Sequence, residues 1–355
     1  MVSNATHGNK DIPFHFIMPV WGEEYTRLFL EIALPNQLGT GNLSAFSKDR
    51  LTKYKIYTTC QDATLIRSSK VFLNLQSLVP VSIIILDDLE SQSANQNLSE
   101  NKYAIKSMTR CHRMAIEDGL KEDAALVFLH PDMVWSSGSF AQLRARAYEG
   151  KRVVAIAQLR VTIETFLPLY QTQFVSDNGI VSAPARKLTH LALSHLHPTL
   201  CAGFIGSGFE PLWYLLWSVG ESGFIYRSLT MHPLLIRPMV KNIDIKISFD
   251  EDYCYSAVPD YDSYHVVTDS DKIVAYELSP KEKLSDMLVV GSFDPLTFAK
   301  KVIQTTNNIR RKFLLNKIKI HSDTIGDEWF SIGQSSDESV NKAIAACSIF
   351  EDGQK

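Results

Sequence analysis

Short apolar runs recur along the first half of the chain and alternate with longer stretches of mixed character. The runs are rich in β-branched residues and cover residues 14–20, 54–59, 81–86, 125–129 and 153–159. Short continuous apolar runs are typical of strands that are buried on both faces. Strands that alternate with helix-length segments favour a parallel sheet with right-handed crossovers. The pattern therefore predicts a doubly wound, Rossmann-like α/β unit with helices flanking the sheet.

Helical segments are indicated in both halves of the chain. Residues 102–119 end at a glycine C-cap, and residues 139–148 end shortly before another glycine. The second half is less regular, and there we expect helices over 184–198 and 213–219. The sequence thus predicts a regular first half followed by a less regular second half.

The last part of the chain is predicted to be a helical extension. Residues 295–321 contain seven lysine and arginine residues and no acidic residue. A solvated helix face is the ordinary explanation of such a segment, and docking on an anionic membrane surface is the alternative. The tail from residue 331 is rich in serine and aspartate, and we expect it to be loosely held.

Polar and acidic residues follow the predicted strands. In parallel α/β sheets, ligands bind beyond the carboxyl ends of the strands, so these positions are the first candidates for a site. In chain order they are Pro19, Trp21 and Glu23 after the first run, Thr58 in the second, Asp88 after the third, and His130 and Asp132 after the fourth. The sequence therefore predicts a ligand site along one edge of the sheet.

Residues 110–140 resemble the corresponding segment of the GT-A glycosyltransferases. A helix with Arg110 and His112 leads to a strand, the strand leads to His130-Pro131-Asp132, and a glycine-containing turn begins the next helix. In that family an Arg-x-Asn-like element on the helix precedes a strand that ends in Asp-x-Asp. His130 stands where the first aspartate of that motif usually stands.

The resemblance covers roughly residues 12–160 and implies a separate role for each segment of the chain. The first 11 residues are expected to be flexible, and 12–160 to form the half that binds a nucleotide sugar. Residues 161–290 would form the acceptor and catalytic half, and 291–355 the helical extension. The resemblance further implies a UDP- or GDP-sugar donor, a glycan, lipid-linked or protein acceptor, and a divalent cation, Mn²⁺ or Mg²⁺.

Asp132 is the expected contact to the metal and the donor diphosphate. A strand-end carboxylate that holds a divalent cation would neutralise the charge that develops on the departing nucleoside diphosphate. The alternative is that Asp132 only caps the turn before the next helix. Many family members supply a late histidine or acidic residue to the metal, and His232 is the candidate here, although a structural histidine is equally compatible.

The remaining donor contacts are expected from the other strand ends. Pro19, Trp21 and Glu23 would cradle the base and ribose, with Trp21 available for stacking; the alternative is a closed turn with Trp21 packed inward. Thr58 could hydrogen-bond the base or ribose, and Asp88 resembles the family's acidic contact to ribose or uracil. Simple turns are the alternative for both.

Basic residues on the helix before the fourth strand are candidates for phosphate binding. Lys106 and Arg110 lie one helical turn apart and share a face, which could neutralise phosphates. The ordinary explanation of this spacing is a solvated basic face.

The second half contributes the candidate general base. An inverting transferase needs a group that deprotonates the acceptor hydroxyl, and a carboxylate that is ionised at neutral pH can serve. Asp250 and Asp252 are the candidates, with solvated loop acids as the alternative. The sequence Asp269-Ser270-Asp271 has the Asp-x-Asp form but comes too late in the chain, so we interpret it as a turn.

Composition and motifs argue against several functional classes of protein, but they do not identify a binding partner. The formal net charge of −3 gives no broad reason to expect nucleic-acid binding. The five cysteines are scattered without a C-x-x-C pair, which argues against a disulfide framework and favours reduced thiols. The chain also lacks the P-loop, dinucleotide, zinc-protease and serine-hydrolase motifs. Because no apolar segment follows a basic start, we expect a cytoplasmic protein, with membrane association through the basic stretch as an option.

The sequence therefore predicts a glycosyltransferase that transfers a sugar from a nucleotide-sugar donor, with metal assistance. The alternative is a catalytically degenerate nucleotide-sugar-binding or scaffold protein of the same fold, because the first aspartate of Asp-x-Asp is missing. A nucleotidyltransferase is a third option, but it normally needs a glycine-rich loop after the first strand, and the sequence has none there. A homodimer is compatible with each of these.

Overall fold

The computed structural model describes residues 11–47, 49–86, 100–211, 213–245, 249, 253–284, 288–305 and 307–352. The strands in chain order are β1 (Phe14–Pro19), β2 (Lys53–Thr58), β3 (Val81–Ile85), β4 (Ala125–Phe128), β5 (Met133–Trp135), β6 (Val153–Ile156), β7 (Leu159–Thr162), β8 (Tyr214–Ser218), β9 (Gly223–Ser228), β10 (His232–Ile236), β11 (Tyr264–Val266), β12 (Ala275–Ser279) and β13 (Ile318–His321).

Seven strands form the main sheet, in the order β11-β6-β10-β4-β1-β2-β3. Neighbouring strands are parallel except at β10, which runs antiparallel to both β4 and β6. The prediction of a mostly parallel α/β sheet is confirmed. Because β10 and β11 come from beyond residue 160, the second half of the chain helps to complete this sheet. Two three-stranded sheets, β5-β12-β7 and β13-β9-β8, accompany it.

Helices pack on both faces of the main sheet. The α-helices are Glu23–Leu28, Leu34–Leu38, Cys60–Ser68, Lys70–Leu78, Glu100–Glu122, Ser139–Tyr148, Ile163–Phe174, Ala185–Leu193, Pro198–Cys201, Cys254–Ala257, Pro295–Thr305, Asn308–Leu314 and Asp327–Asp352. A π-helical turn covers Phe29–Ala33, and 3-10 turns cover Leu43–Phe46, Gly220–Ser222 and Tyr261–Ser263. The predicted helix over 139–148 has the predicted bounds, and the one over 102–119 lies within a longer helix.

Buried side chains on both faces explain the continuous apolar runs of the strands. In β1, Ile17 packs into one hydrophobic cluster, whereas Phe16 and Met18 pack into a second cluster on the other face. In β4, Phe128 belongs to the first cluster and Val127 to the second. Successive side chains of a strand point to opposite faces, so a strand between two layers of helices is mainly apolar on both faces. This sandwich leaves the strand ends as the place for polar groups.

The helix predicted over 213–219 is wrong, because the structure has strand β8 there. β8 pairs antiparallel with β9 over its whole length. Its residues include Tyr214 and Trp217, aromatic types that suit a pleated surface. A short apolar run does not distinguish a buried strand from a buried helix by period alone. Pairing with β9, which no local pattern encodes, decides the outcome.

Two expectations for the last part of the chain also need correction. The basic stretch is not helical to its end, because β13 follows the helix Asn308–Leu314 and pairs with β9. The tail is not loosely held, since it forms the helix Asp327–Asp352, and that helix buries Trp329, Val340 and Ala343 in a third hydrophobic cluster. Composition alone does not indicate this apolar face, because the segment is rich in serine and aspartate. No helix of the described residues is long and apolar enough to cross a membrane.

Candidate functional site

A cleft opens at the carboxyl ends of β1 and β4, which are neighbours in the sheet. Leu129 donates its backbone N–H to the carbonyl oxygen of Ile17 at 3.0 Å, which holds the two strand ends side by side. The cleft has a volume of about 220 Å³. Its lining combines Pro19, Val20, Trp21 and Tyr25 with Ala104, Ile105 and Met108 from the helix Glu100–Glu122, and with His130, Pro131, Asp132 and Lys283. Four of the predicted site positions, Pro19, Trp21, His130 and Asp132, therefore meet in one place.

The loop after β1 is fixed by a buried carboxylate. Asp62 accepts hydrogen bonds from the Gly22 backbone N–H at 3.0 Å, from the Thr26 hydroxyl at 3.0 Å and from the Thr59 hydroxyl at 2.8 Å. Gly22 has a φ of +83°, a conformation that favours glycine. The carboxylate, which follows β2 and could itself have been a ligand contact, is thus used to hold the loop that carries Trp21.

Two of the predicted donor contacts lie away from the lining of this cleft. Thr58 is completely buried at the end of β2, and its hydroxyl has no hydrogen-bond partner among the described residues. Glu23 is the first residue of the helix Glu23–Leu28, and its side chain is exposed. Neither residue is among those that line the cleft. Their contact with a nucleotide stays a prediction.

The helix Glu100–Glu122 turns an apolar face to the cleft. Its lining residues there are Ala104, Ile105 and Met108. At about 3.6 residues per turn, Lys106 and Arg110 lie on the opposite side of the helix, and both are exposed. Their predicted contact with donor phosphates stays a prediction, and the lining does not include them.

Asp132 combines an unusual environment with a rigid backbone. Its carbonyl oxygen accepts the Leu278 backbone N–H at 2.8 Å. The side chain is only partly exposed, and burial, reinforced by the negative charge of Glu277, raises the pKa of Asp132 to about 6; His130 and Lys283 act in the opposite direction. The carboxyl therefore titrates near neutral pH. Burial makes ionisation of a carboxyl group unfavourable. A cation that binds beside the carboxylate stabilises the ionised form.

Two buried histidines, His232 and His112, lie near His130, which lines the cleft. His232 is buried, its Nε2 is 3.3 Å from the Phe128 carbonyl oxygen, and its ring centroid is 5.2 Å from that of His130. Burial, together with the charge of His130, lowers the pKa of His232 to about 3. The ring is therefore neutral at pH 7, which is the form that ligates metals. His112 is also buried and has a pKa lowered to about 3, mainly by burial.

Phe249 packs among these rings. Its ring stacks on Phe128 with centroids 4.1 Å apart, and it lies 4.7 Å from His112 and 5.9 Å from His232. The residues predicted as general base, Asp250 and Asp252, lie outside the described residues. Asp88, the predicted acidic contact after β3, also lies outside them.

A separate acidic group lies at the turn after β11. Asp271 donates its backbone N–H to Asp269 Oδ1 at 2.8 Å, so the predicted turn is present. His321 Nε2 is 3.0 Å from Asp269 Oδ1, and Arg186 pairs with Asp271 at 2.8 Å. Among the described residues, the one group of three histidine, cysteine or acidic side chains that could hold a metal ion consists of Asp269, Asp271 and His321. Sequence reasoning missed His321, because only the pairing of β13 brings it to this turn.

The comparisons with known proteins give no close relative. No family model matches the chain, and no curated protein matches it. Among solved structures, the apo form of mouse xyloside xylosyltransferase 1 overlaps 45% of this chain and 58% of its own, with 10% identity and a TM-score of 0.27. The overlap thus spans less than two thirds of that protein.

Two further structures overlap the chain. Mannosyltransferase PcManGT from Pyrobaculum calidifontis, solved with GDP-Man and Mn²⁺, covers 95% of this chain and 74% of its own at 10% identity and a TM-score of 0.38. A putative glucose-1-phosphate thymidylyltransferase from Bacillus anthracis, solved with a sucrose, covers 43% and 58% at 13% identity and a TM-score of 0.24. At these TM-scores the overlaps do not establish shared chemistry, and the α/β class rests on the sheet topology of the chain itself.

Proposed function

We propose that the protein is a glycosyltransferase that binds a nucleotide sugar in the cleft between the ends of β1 and β4. One observation carries the proposal: the cleft unites an aromatic side chain, Trp21, with a strand-end carboxylate, Asp132, at the carboxyl edge of a parallel sheet. That edge is where sheets of this class bind ligands. An aromatic face suits the base, and a carboxylate suits a cation bound to the diphosphate.

The donor is a UDP- or GDP-sugar, with its base against Trp21 and Pro19. Thr58, Glu23 and Asp88 are further candidates for contacts to the base or ribose, and Lys106 and Arg110 for the phosphates. They are secondary to the residues that line the cleft.

Asp132 is the candidate ligand for a divalent cation, Mn²⁺ or Mg²⁺, and the residues fit this group. Mg²⁺ needs only one or two protein carboxylates when substrate phosphates and water complete its shell. His232 is the proposed second ligand, through the nitrogen that does not face Phe128. The cation would supply positive charge to the leaving diphosphate. Asp132 contributes by giving up its proton near pH 6 and by presenting its carboxylate at the strand end, where its backbone carbonyl oxygen accepts the Leu278 N–H.

The transfer step follows from these assignments. An acceptor hydroxyl oxygen forms a bond to the anomeric carbon of the donor sugar, and the bond from that carbon to the phosphate oxygen breaks with its electron pair on the phosphate. The hydroxyl proton goes to a carboxylate, for which Asp250 and Asp252 are the candidates. The acceptor is a glycan, a lipid-linked molecule or a protein, and residues 161–290 would contribute to its site.

A degenerate nucleotide-sugar-binding or scaffold protein is the alternative. It is favoured by one observation: of the described residues that line the cleft, Asp132 is the only carboxylate. In this alternative the cleft binds a nucleotide sugar but does not turn it over. Replacement of Asp132 would then leave binding to a partner protein unchanged.

Membrane association remains a separate proposal for the basic stretch. Part of its positive charge is engaged in internal contacts, since Lys317 pairs with Asp337 at 2.6 Å and Lys312 lies 5.0 Å from the Tyr261 ring centroid. A solvated face therefore stays the alternative. A cytoplasmic location and a homodimer also stay predictions.

Turnover distinguishes a transferase from a scaffold. Release of UDP or GDP from a panel of nucleotide sugars is measured with a pool of glycan and lipid-linked acceptors, for wild type and for Asp132→Asn. Asp177→Asn is the matched control, because Asp177 is an exposed aspartate away from the cleft. A transferase releases nucleotide, the control keeps this activity, and Asp132→Asn loses most of it. Binding of a nucleotide sugar without any release would favour the scaffold.

A further inference from the structure

Lys283 is the one lysine or arginine among the described residues that line the cleft. Its Nζ lies 3.4 Å from the hydroxyl oxygen of Tyr25, on the helix that follows the β1 loop. The ion pairs of the described residues do not include Lys283. A lysine ammonium group carries three N–H donors, which suits a ligand that is rich in acceptor oxygens.

The backbone places Lys283 close to Asp132 through strand pairing. β12 runs antiparallel to β5, and Glu277 lies opposite Met133, the residue after Asp132. The Leu278 N–H bonds to the Asp132 carbonyl oxygen in the same register. Lys283 follows β12 within a few residues, so the two strands bring a lysine and an aspartate to the same cleft.

The turn that carries Lys283 is anchored on its far side. Lys283 donates its backbone N–H to the Pro280 carbonyl oxygen at 2.9 Å, and His197 Nε2 lies 3.0 Å from the same oxygen. The Lys281 backbone N–H donates to both carboxylate oxygens of Glu164, at 3.2 Å each. These contacts fix the backbone of the turn from which the Lys283 side chain extends to the cleft.

We propose that Lys283 binds the diphosphate of the donor, an inference that rests on the proposed function. A nucleoside diphosphate brings at least two negative charges into a cleft where Asp132, the one carboxylate among the described lining residues, is also negative once it ionises. An ammonium group is a point charge that suits phosphate oxygens. Lys283 supplies this charge beside Tyr25, on the helix that follows the β1 loop.

The test compares ligands with and without the diphosphate. Dissociation constants of UDP, GDP, uridine and guanosine are measured by calorimetry for wild type, Lys283→Gln and Lys283→Arg. Lys281→Gln is the matched control, because it removes an exposed lysine from the same turn that does not line the cleft. A lost charge-assisted contact weakens binding about tenfold.

We expect Lys283→Gln to weaken binding of the diphosphate about tenfold while affinity for the matching nucleoside is unchanged, and Lys283→Arg and Lys281→Gln to bind nearly as wild type does. Equal loss in Lys281→Gln, or no loss in Lys283→Gln, would overturn the role of Lys283 while the donor site stands. If wild type binds neither diphosphate, the proposed function fails, and this inference fails with it.

Discussion

Leu278 donates its backbone N–H to the carbonyl oxygen of Asp132 at 2.8 Å, so a strand from late in the chain fixes the candidate metal ligand. The same β12 strand carries Glu277, whose charge contributes to the raised pKa of Asp132. Strand β12 therefore holds the backbone of Asp132 and adds to the effect of burial on its ionisation. Changes at Asp132 should accordingly be visible in stability as well as in ligand binding.

Asp132→Asn should stabilise the unliganded protein at high pH. The folded-state pKa of Asp132 is about 6, above its ordinary value of 3.8, so ionisation of the folded state costs stability above pH 6 and costs nothing below about 4. In chelator at pH 8, we expect the free energy of unfolding to rise by up to about 3 kcal/mol, and the gain to vanish near pH 4. Urea denaturation measures it, with Asp177→Asn as a control that shows no gain. A loss of stability at pH 8 would contradict the burial of the carboxylate.

Asp62→Asn should loosen the loop that carries Trp21. Asp62 accepts three hydrogen bonds, from Gly22, Thr26 and Thr59, and an amide nitrogen in place of one oxygen would face donors. We expect the free energy of unfolding to fall by about 1–3 kcal/mol, because a buried donor is left unsatisfied. Thermal denaturation measures this, and Asp262→Asn, at an exposed carboxyl, is the control. Equal stability of Asp62→Asn and wild type would mean that the loop is held by other contacts.

His112→Phe should protect the protein against acid. His112 has a folded-state pKa of about 3, below its ordinary 6.5, so the unfolded state gains a proton first and stability falls as the pH drops from about 6.5 to 3. Phenylalanine keeps the ring contacts with Phe128 and Phe249 and removes this titration. We expect a smaller drop in melting temperature between pH 7.5 and 4.5 than in wild type.

The control for this prediction is His190→Gln, because His190 is an exposed histidine on another helix. His232, which is also buried and neutral, should leave a part of the acid sensitivity in place. An unchanged drop in His112→Phe would show that His112 is not buried as a neutral ring.

Gly223→Ala should be far more damaging than Gly206→Ala. Both glycines have a positive φ, of +141° and +87°, so both substitutions strain the backbone. A Cβ at Gly223 would lie 2.0 Å from the Ile320 carbonyl oxygen, where β9 meets β13, whereas a Cβ at Gly206 meets nothing within 4 Å. We expect about 1 kcal/mol of destabilisation at Gly206 and several times that at Gly223. Soluble yield and urea denaturation measure the difference, and similar losses would contradict the close approach of β9 and β13.

The elements that sequence predicts well are those whose signal is local. The apolar runs of β1 and β4 mark strands buried on both faces, and residues beyond their ends, Trp21 and Asp132, meet in the cleft. Strand-end placement follows from the sheet class alone. The helix Ser139–Tyr148 is likewise predictable from the sequence, because Gly150 follows shortly after its end.

The elements that sequence misses depend on contacts between distant segments. Lys283 lines the cleft because β12 pairs with β5, and nothing in the sequence around Lys283 indicates this pairing. The apolar run around Trp217 forms a strand because it pairs with β9. Asp62 could be recognised as a polar residue after β2, but its use as a clamp on Gly22 depends on the packing of two loops.

Binding of nucleotide sugars to the purified protein tests the central claim most directly. Melting temperatures are measured with UDP-, GDP-, CMP- and dTDP-sugars, each with Mn²⁺, with Mg²⁺ and with chelator, for wild type and Asp132→Asn; binding to the native state raises the melting temperature. We predict a rise with UDP- or GDP-sugars that is larger with metal, and a loss of the metal effect in Asp132→Asn. No rise with any sugar nucleotide under any condition would contradict the assignment of the cleft as a donor site.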